Sequence, residues 1–243
     1  MSTYVYGITR NSPDTNLDAY LSSRPSGVGE PPQPVRVVGE GRLAALVSDA
    51  PEGLRPKRRD LLAHQNVLTE AGAAGPVLPL RFGGVSPDDG AVAAVLAERE
   101  EHYLQRLEAV DGRAEFNVKA DHDEEAVLHR VLADDPDLRA MGVAQQNAGG
   151  GSHEDKLRLG ELIVTAVQRR EELDRAEIHQ ALSSAAVDSA PGPDGTGRVA
   201  NLSYLVERDH AEEFLSAVAE FQRANPQLRL QVSGPLPPYS FVE

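Results

Sequence analysis

The 243 residues carry a formal net charge of −14, seven histidines, and neither cysteine nor tryptophan. That balance excludes disulfides, zinc ribbons and thiol nucleophiles, and sets net repulsion against nucleic acid and anionic lipid. Hydrophobic residues make up 40% and aromatics only 5%, so the chain should fold around Leu, Val and Ala rather than remain disordered. Its length suits two small domains better than one. The opening Met1-Ser2-Thr3-Tyr4-Val5-Tyr6 has neither the basic start nor the apolar stretch of a signal peptide. No window approaches the roughly 18 to 20 apolar residues that span a bilayer. A cytoplasmic protein that binds neither membrane nor nucleic acid is expected.

The first predicted strand is Tyr4–Thr9, with Tyr4, Tyr6 and Ile8 alternating against Val5 and Gly7. Asn11–Pro34 is rich in Ser, Pro and Gly and reads as loop around one short helix at Leu17–Leu21. Val35–Val38 and Leu43–Ser48 flank Gly39-Glu40-Gly41 as a hairpin. Arg55–Gly72 has helical spacing, and its run Arg55, Lys57, Arg58, Arg59 reads as a solvated turn. The two prolines of Pro76–Val85 predict an extended edge segment. Pro87-Asp88-Asp89 starts a helix through Val92, Val95, Leu96, Tyr103 and Leu107, ending near Asp111-Gly112.

Glu115–Ala120 alternates as a strand, and Asp121 with Glu124 predicts a capped helix through Leu132. Met141–Ser152 reads as a Gly-rich loop. A long helix over Glu154–Leu182 is expected to bury Leu159, Leu162, Ala166, Leu173 and Ala176. Strands at Ala185–Ser189 and Arg198–Val206 flank a turn at Gly192–Gly197. Asp209 caps a helix burying Phe214, Val218 and Phe221, and Leu228, Leu230 and Val232 alternate as the last strand. The element order predicts an α+β chain of two ferredoxin-like (βαββαβ) domains, at 1–112 and 113–243, with antiparallel sheets backed by helices and additional long helices.

No motif in the chain commits it to catalysis. His122 and His129 stand seven apart, where a helical metal site uses three or four. No P-loop, dinucleotide fingerprint or Gly-x-Ser-x-Gly elbow occurs. A non-enzymatic protein without cofactor or metal is the reading. Two stretches invite another role. Arg81 and Phe82 stand in an apolar, Pro-bounded segment where Arg81 requires water, an ion pair or a partner. Pro237, Pro238, Tyr239 and Phe241 form an extended tail whose aromatics require cover. His64 reads as a satisfied packing residue.

The segments Tyr4-Val5-Tyr6-Gly7-Ile8, His64-Gln65-Asn66-Val67-Leu68 with Val77–Gly83, Glu115–Lys119 and Gly234–Val242, taken in order, resemble the gas vesicle protein F/L family (GvpF/GvpL). The family pattern places Trp where this chain has Phe116 and Leu236, both apolar. The resemblance implies an assembly factor that binds the hydrophobic shell protein of gas vesicles, with other vesicle accessory proteins as further partners. Arg81, Phe82, Pro237, Pro238, Tyr239 and Phe241 are its candidate binding residues. The competing reading is a small-molecule sensor or enzyme using a groove between paired ferredoxin-like domains.

Overall fold

The computed structural model describes residues 2–11, 26–147, 152–192 and 197–242. The short helix expected at Leu17–Leu21, the glycines 149–151 and most of the Gly192–Gly197 turn lie outside them. The chain divides into two units, Met1–Glu115 with Gly234–Glu243, and Phe116–Ser233. The tail, expected with the second domain, thus belongs to the first unit. Tyr239 packs on that unit's core and Ser240 bonds to Glu115.

The first unit contains β1 (Thr3–Arg10), β2 (Arg36–Glu40), β3 (Leu43–Asp49), α1 (Arg58–Ala74), β4 (Val77–Pro79), β5 (Val85–Ser86), α2 (Asp89–Glu98) and α3 (Glu100–Val110). Its antiparallel sheet runs β2-β3-β1-β4, with β5 also paired to β1. The β2–β3 hairpin turns through Gly41 at φ 55°, the left-handed region that favours glycine.

A bulge in β1, between Val5 and Gly7, decides which residues face which helix. Tyr4 and Tyr6 join Leu46, Val67 and Leu68 beneath α1. Past the bulge, Ile8 pairs with Ala45 and lies with Val5 on the opposite face. Strict alternation had placed Ile8 with the tyrosines; one extra residue resets the parity. A Cβ on Gly7 would stand 2.8 Å from Leu68 Cδ2 and from the Leu78 carbonyl oxygen, so only glycine allows α1 and β4 to close over this point.

The single helix expected from 87 to about 111 is two, broken at Arg99 (φ −116°, ψ 21°). The break sets Glu100 against the hairpin turn, where its carboxylate accepts from the Arg42 backbone N–H at 2.9 Å. Asp88 caps α2 by accepting from Ala91 N–H at 2.8 Å.

The second unit's elements are β6 (Arg113–His122), α4 (Glu124–Asp134), α5 (Pro136–Asn147), α6 (His153–Ser183), β7 (Asp188–Pro191), β8 (Ala200–Glu207), α7 (Ala211–Ala224) and β9 (Leu228–Leu236). The sheet order is β7-β8-β6-β9. In both sheets, therefore, the order is second, third, first and fourth strand. The expected loop from Met141 is helical as far as Asn147. Asp123, not Asp121, caps α4, because Asp121 is engaged by Arg198 at 2.8 Å. A 3-10 turn at Arg208–His210 leads into α7, so His210 takes the cap position expected of Asp209. Phe214 and Val218 are buried as expected, and Phe221 is half-buried.

The long helix buries a different stripe from the expected one. Its inward residues are Arg170, Asp174, Ile178 and Leu182, while Leu162 and Leu173 are exposed. Two of the four are charged and paired with each other, so a count of apolar periodicity passes over them.

Candidate functional site

Four of the sequence motifs meet in one cluster of the first unit. His64 on α1 is 3% exposed, stacks on Tyr6 at 5.5 Å and meets the edges of Tyr4 and Phe82. Its Nε2 lies 3.0 Å from the Leu80 carbonyl, which accepts only, so Nε2 carries the proton and Nδ1 is the acceptor. The Tyr4 hydroxyl therefore donates to Nδ1 at 2.8 Å and accepts from Gly83 N–H at 3.3 Å. The Tyr6 hydroxyl accepts from Val28 N–H at 2.8 Å and meets Ser48 Oγ at 2.9 Å.

Burial holds His64 below the ordinary imidazole value, against a smaller opposite effect from the Leu80 carbonyl. Burial likewise raises the Tyr4 and Tyr6 phenols. Both His64 nitrogens are occupied by fixed internal partners. This imidazole is built to hold β1, α1 and the Leu80–Gly83 turn together, not to exchange protons with a substrate.

The tail closes the same core. Tyr239 packs against the cluster, and burial, then the nearby Glu115 charge, push its phenol up to about 12. The Glu115 carboxylate accepts from Ser240 N–H and from Ser240 Oγ–H, each at 2.8 Å. Pro238 and Phe241 are buried and Pro237 is half-buried. The tail aromatics thus find their cover on their own unit. Phe82 is half-buried against the cluster. Arg81 is exposed, and no carboxylate pairs with it among the described residues. Among the described residues the ion pair weighed for Arg81 is not formed.

On the other face of the sheet lies an apolar groove of about 430 Å³. Val5, Ile8 and Leu78 floor it, α2 walls it with Val92 and Val95, and Leu80, Val85 and Val242 flank it. Val85 is 52% and Val95 45% exposed. Both motif stretches singled out in the sequence therefore border one opening, through Leu80 next to Arg81 and through Val242 next to Phe241. Sequence reading missed the groove because Val95 counted as one more core position of a helix. A polar cleft of about 490 Å³ beneath Arg55, Lys57 and Arg59 also includes Glu30, Glu52 and Asp60, and its charges largely cancel.

The second unit has a charged buried network besides the neutral bonds of Asn117 to Asn201, Leu202 and Ser203. Asp174 is fully buried and accepts from His122 Nε2 at 2.8 Å, Arg170 at 2.8 Å and Gln227 at 2.9 Å. Burial alone would raise its carboxyl, but those three hydrogen bonds together hold it below the ordinary value. Arg170 also reaches Glu177 at 2.6 Å. Among the described residues no group of three or more His, Asp or Glu is placed to hold a metal, and no helix is long and apolar enough to cross a membrane.

Fold and site thus define a two-unit protein of helices and antiparallel sheet, its motif residues packed on one another in the first unit, with an apolar groove on the opposite face of that sheet. The pattern of the family described as gas vesicle synthesis protein GvpL/GvpF matches residues 2–243. Gas vesicle protein F of Streptomyces sp. (strain CB03234) is 62% identical over the full length of both chains. Gas vesicle protein L of the same strain is 28% identical, over 98% of this chain and 92% of its own. The crystal structure of GvpF from Anabaena sp. PCC7120 superposes with a TM-score of 0.77 at 24% identity, covering 100% of this chain and 98% of that one. The chain belongs to the GvpL/GvpF family, and its role concerns gas vesicles.

Proposed function

We propose that this chain is a gas vesicle assembly factor that holds the hydrophobic shell protein at the apolar groove of its first unit and so supports vesicle formation. The observation that carries the reading is the groove itself, open and apolar on a chain of net charge −14. An apolar surface of this kind recognises apolar side chains, while the surrounding charge keeps the complex dispersed. Arg81, exposed and next in sequence to the groove-lining Leu80, is available to meet a carboxylate or backbone carbonyl of the bound segment. The tail reaches the groove through Val242, while Tyr239 packs on the core of the opposite sheet face, so Pro237, Pro238, Tyr239 and Phe241 anchor the tail rather than forming a free arm. The role is chaperone-like, exercised in the cytoplasm at the growing vesicle, with other accessory proteins as further partners. Both units are ferredoxin-like in this reading, supported by their common strand order.

Shell protein mixed with this chain should stay in the supernatant after centrifugation, and pellet without it. Pelleting in equal amount with and without the chain would reject the role.

A further inference from the structure

The N-terminal half of α6 has the composition of a buried helix, yet only its Leu159, Ile163, Ala166 and Val167 stripe is half-buried and none of it is fully buried. His153–Arg169 contains Leu157, Leu159, Leu162, Ile163, Val164 and Val167, yet none of its side chains is among the helix's buried residues. Leu157 and Val164 are each 56% exposed, and Leu162 is exposed on a different side of the helix. On the neighbouring α5, Met141 and Val143 are exposed as well. A solvated helix of this length, about 25 Å, gains little from propensity alone. The Ser152–Asp155 capping box fixes its start, but nothing in the described chain covers this face.

Two further observations say what does. Leu157 and Val164 are seven residues apart and share one face of the helix, with Gly160 between them. A Cβ on Gly160 would meet no atom within 4 Å, so the monomer has no use for a residue that weakens a mid-helix turn. A second backbone crossing there would use the missing side chain. Charge supplies the other argument. Glu154, Asp155 and Glu161 balance Lys156, Arg158 and Arg169 over 153–169, whereas the whole chain stands at −14. Two copies of so acidic a molecule meet least repulsion where the local charge cancels. Glu154 at one end and Arg169 at the other form no ion pair among the described residues.

We propose that this face docks a second copy of the chain, the two α6 helices crossing antiparallel at Gly160. Around a two-fold axis between residues 160 and 161, Leu157 of one copy lies on Val164 of the other. The acidic start of each helix then faces Arg169 of its mate. The surface lies in the second unit, so the proposal does not depend on the shell-protein reading.

The sequence has no cysteine, so a Gly160→Cys variant carries one thiol at the crossing. Mild oxidation should link it into a disulfide dimer, while Glu212→Cys on the exposed side of α7 stays monomeric. Sedimentation equilibrium of the unaltered chain should give a concentration-dependent dimer. Leu157→Asp with Val164→Asp should give a monomer with unchanged circular dichroism and unfolding midpoint. An unaltered chain that is monomeric at every concentration overturns the proposal, as does a dimer that survives the double substitution. Capture of another gas vesicle protein on this face by a monomeric chain would overturn it equally.

Discussion

In the first unit, His64 is held neutral between the Tyr4 hydroxyl and the Leu80 carbonyl. In the second, His122 reaches a carboxylate, Asp174, that is fully buried and also bonded to Arg170 and Gln227. Both arrangements join strands to the helix that covers them, but one does so with neutral groups and the other with charge. A neutral network costs little to bury and is modest to break. A charged one is expensive to bury and severe to break, because the surviving partner is left as an unpaired ion.

The largest effect should follow from Asp174→Ala. It leaves Arg170 only the half-exposed Glu177 and strips His122 and Gln227 of their buried acceptor, and a loss of about 3–5 kcal/mol is expected from urea unfolding followed by circular dichroism. Tyr4→Phe tests the neutral side. It leaves His64 Nδ1 and Gly83 N–H without a partner and should cost roughly 1–3 kcal/mol in the same measurement. Equal losses from the two substitutions would erase the contrast.

Acid separates the networks by pH. His64 is depressed below its ordinary 6.5, so the unfolded chain binds the extra proton first. Its contribution is complete above pH 6.5 and falls away as the pH drops toward the depressed folded value. Asp174 is depressed below its ordinary 3.8, so its contribution is intact above that pH and is lost as the pH falls through the lower folded value. Stability of the first unit should therefore decline from pH 6.5 downward while the Asp174 network still holds. Hydrogen exchange at α1 and α6 across this range reads the order directly, and simultaneous loss would contradict it. The smallest effect is expected from Ser240→Ala. It removes one of two bonds to Glu115, keeps the backbone N–H donor, and should lower stability by about 1 kcal/mol.

The same contrast explains what could be read in the sequence. Glu115–Ala120 was legible from its alternation, and the Leu43–Ser48 half of the hairpin as a short apolar run, as a strand buried on both faces requires. The β1 bulge was not, since nothing in Tyr4-Val5-Tyr6-Gly7-Ile8 says that one residue drops out of register. The neutral cluster was partly legible: His64, Tyr4, Phe82 and Tyr239 all stood in motifs, and His64 read as a packing residue. Their convergence was not visible, because contacts as distant in sequence as Tyr4 and Gly83 are set by topology. The Asp174 network was illegible, since paired charges on a helix look the same in sequence whether buried or solvated. The groove was hidden for a related reason: an exposed Val95 and a buried Val92 have the same side chain.

The central claim is that the first unit's apolar groove, rather than a loose tail, receives the shell protein. It is tested most directly by measuring shell-protein affinity for the chain carrying Val85→Asp and Val95→Asp, both at half-exposed positions that should accept the change without unfolding. Binding is expected to weaken by roughly tenfold or more, equivalent to about 1.4 kcal/mol, with the unfolding midpoint unchanged. Undiminished binding by the folded double variant would contradict the claim.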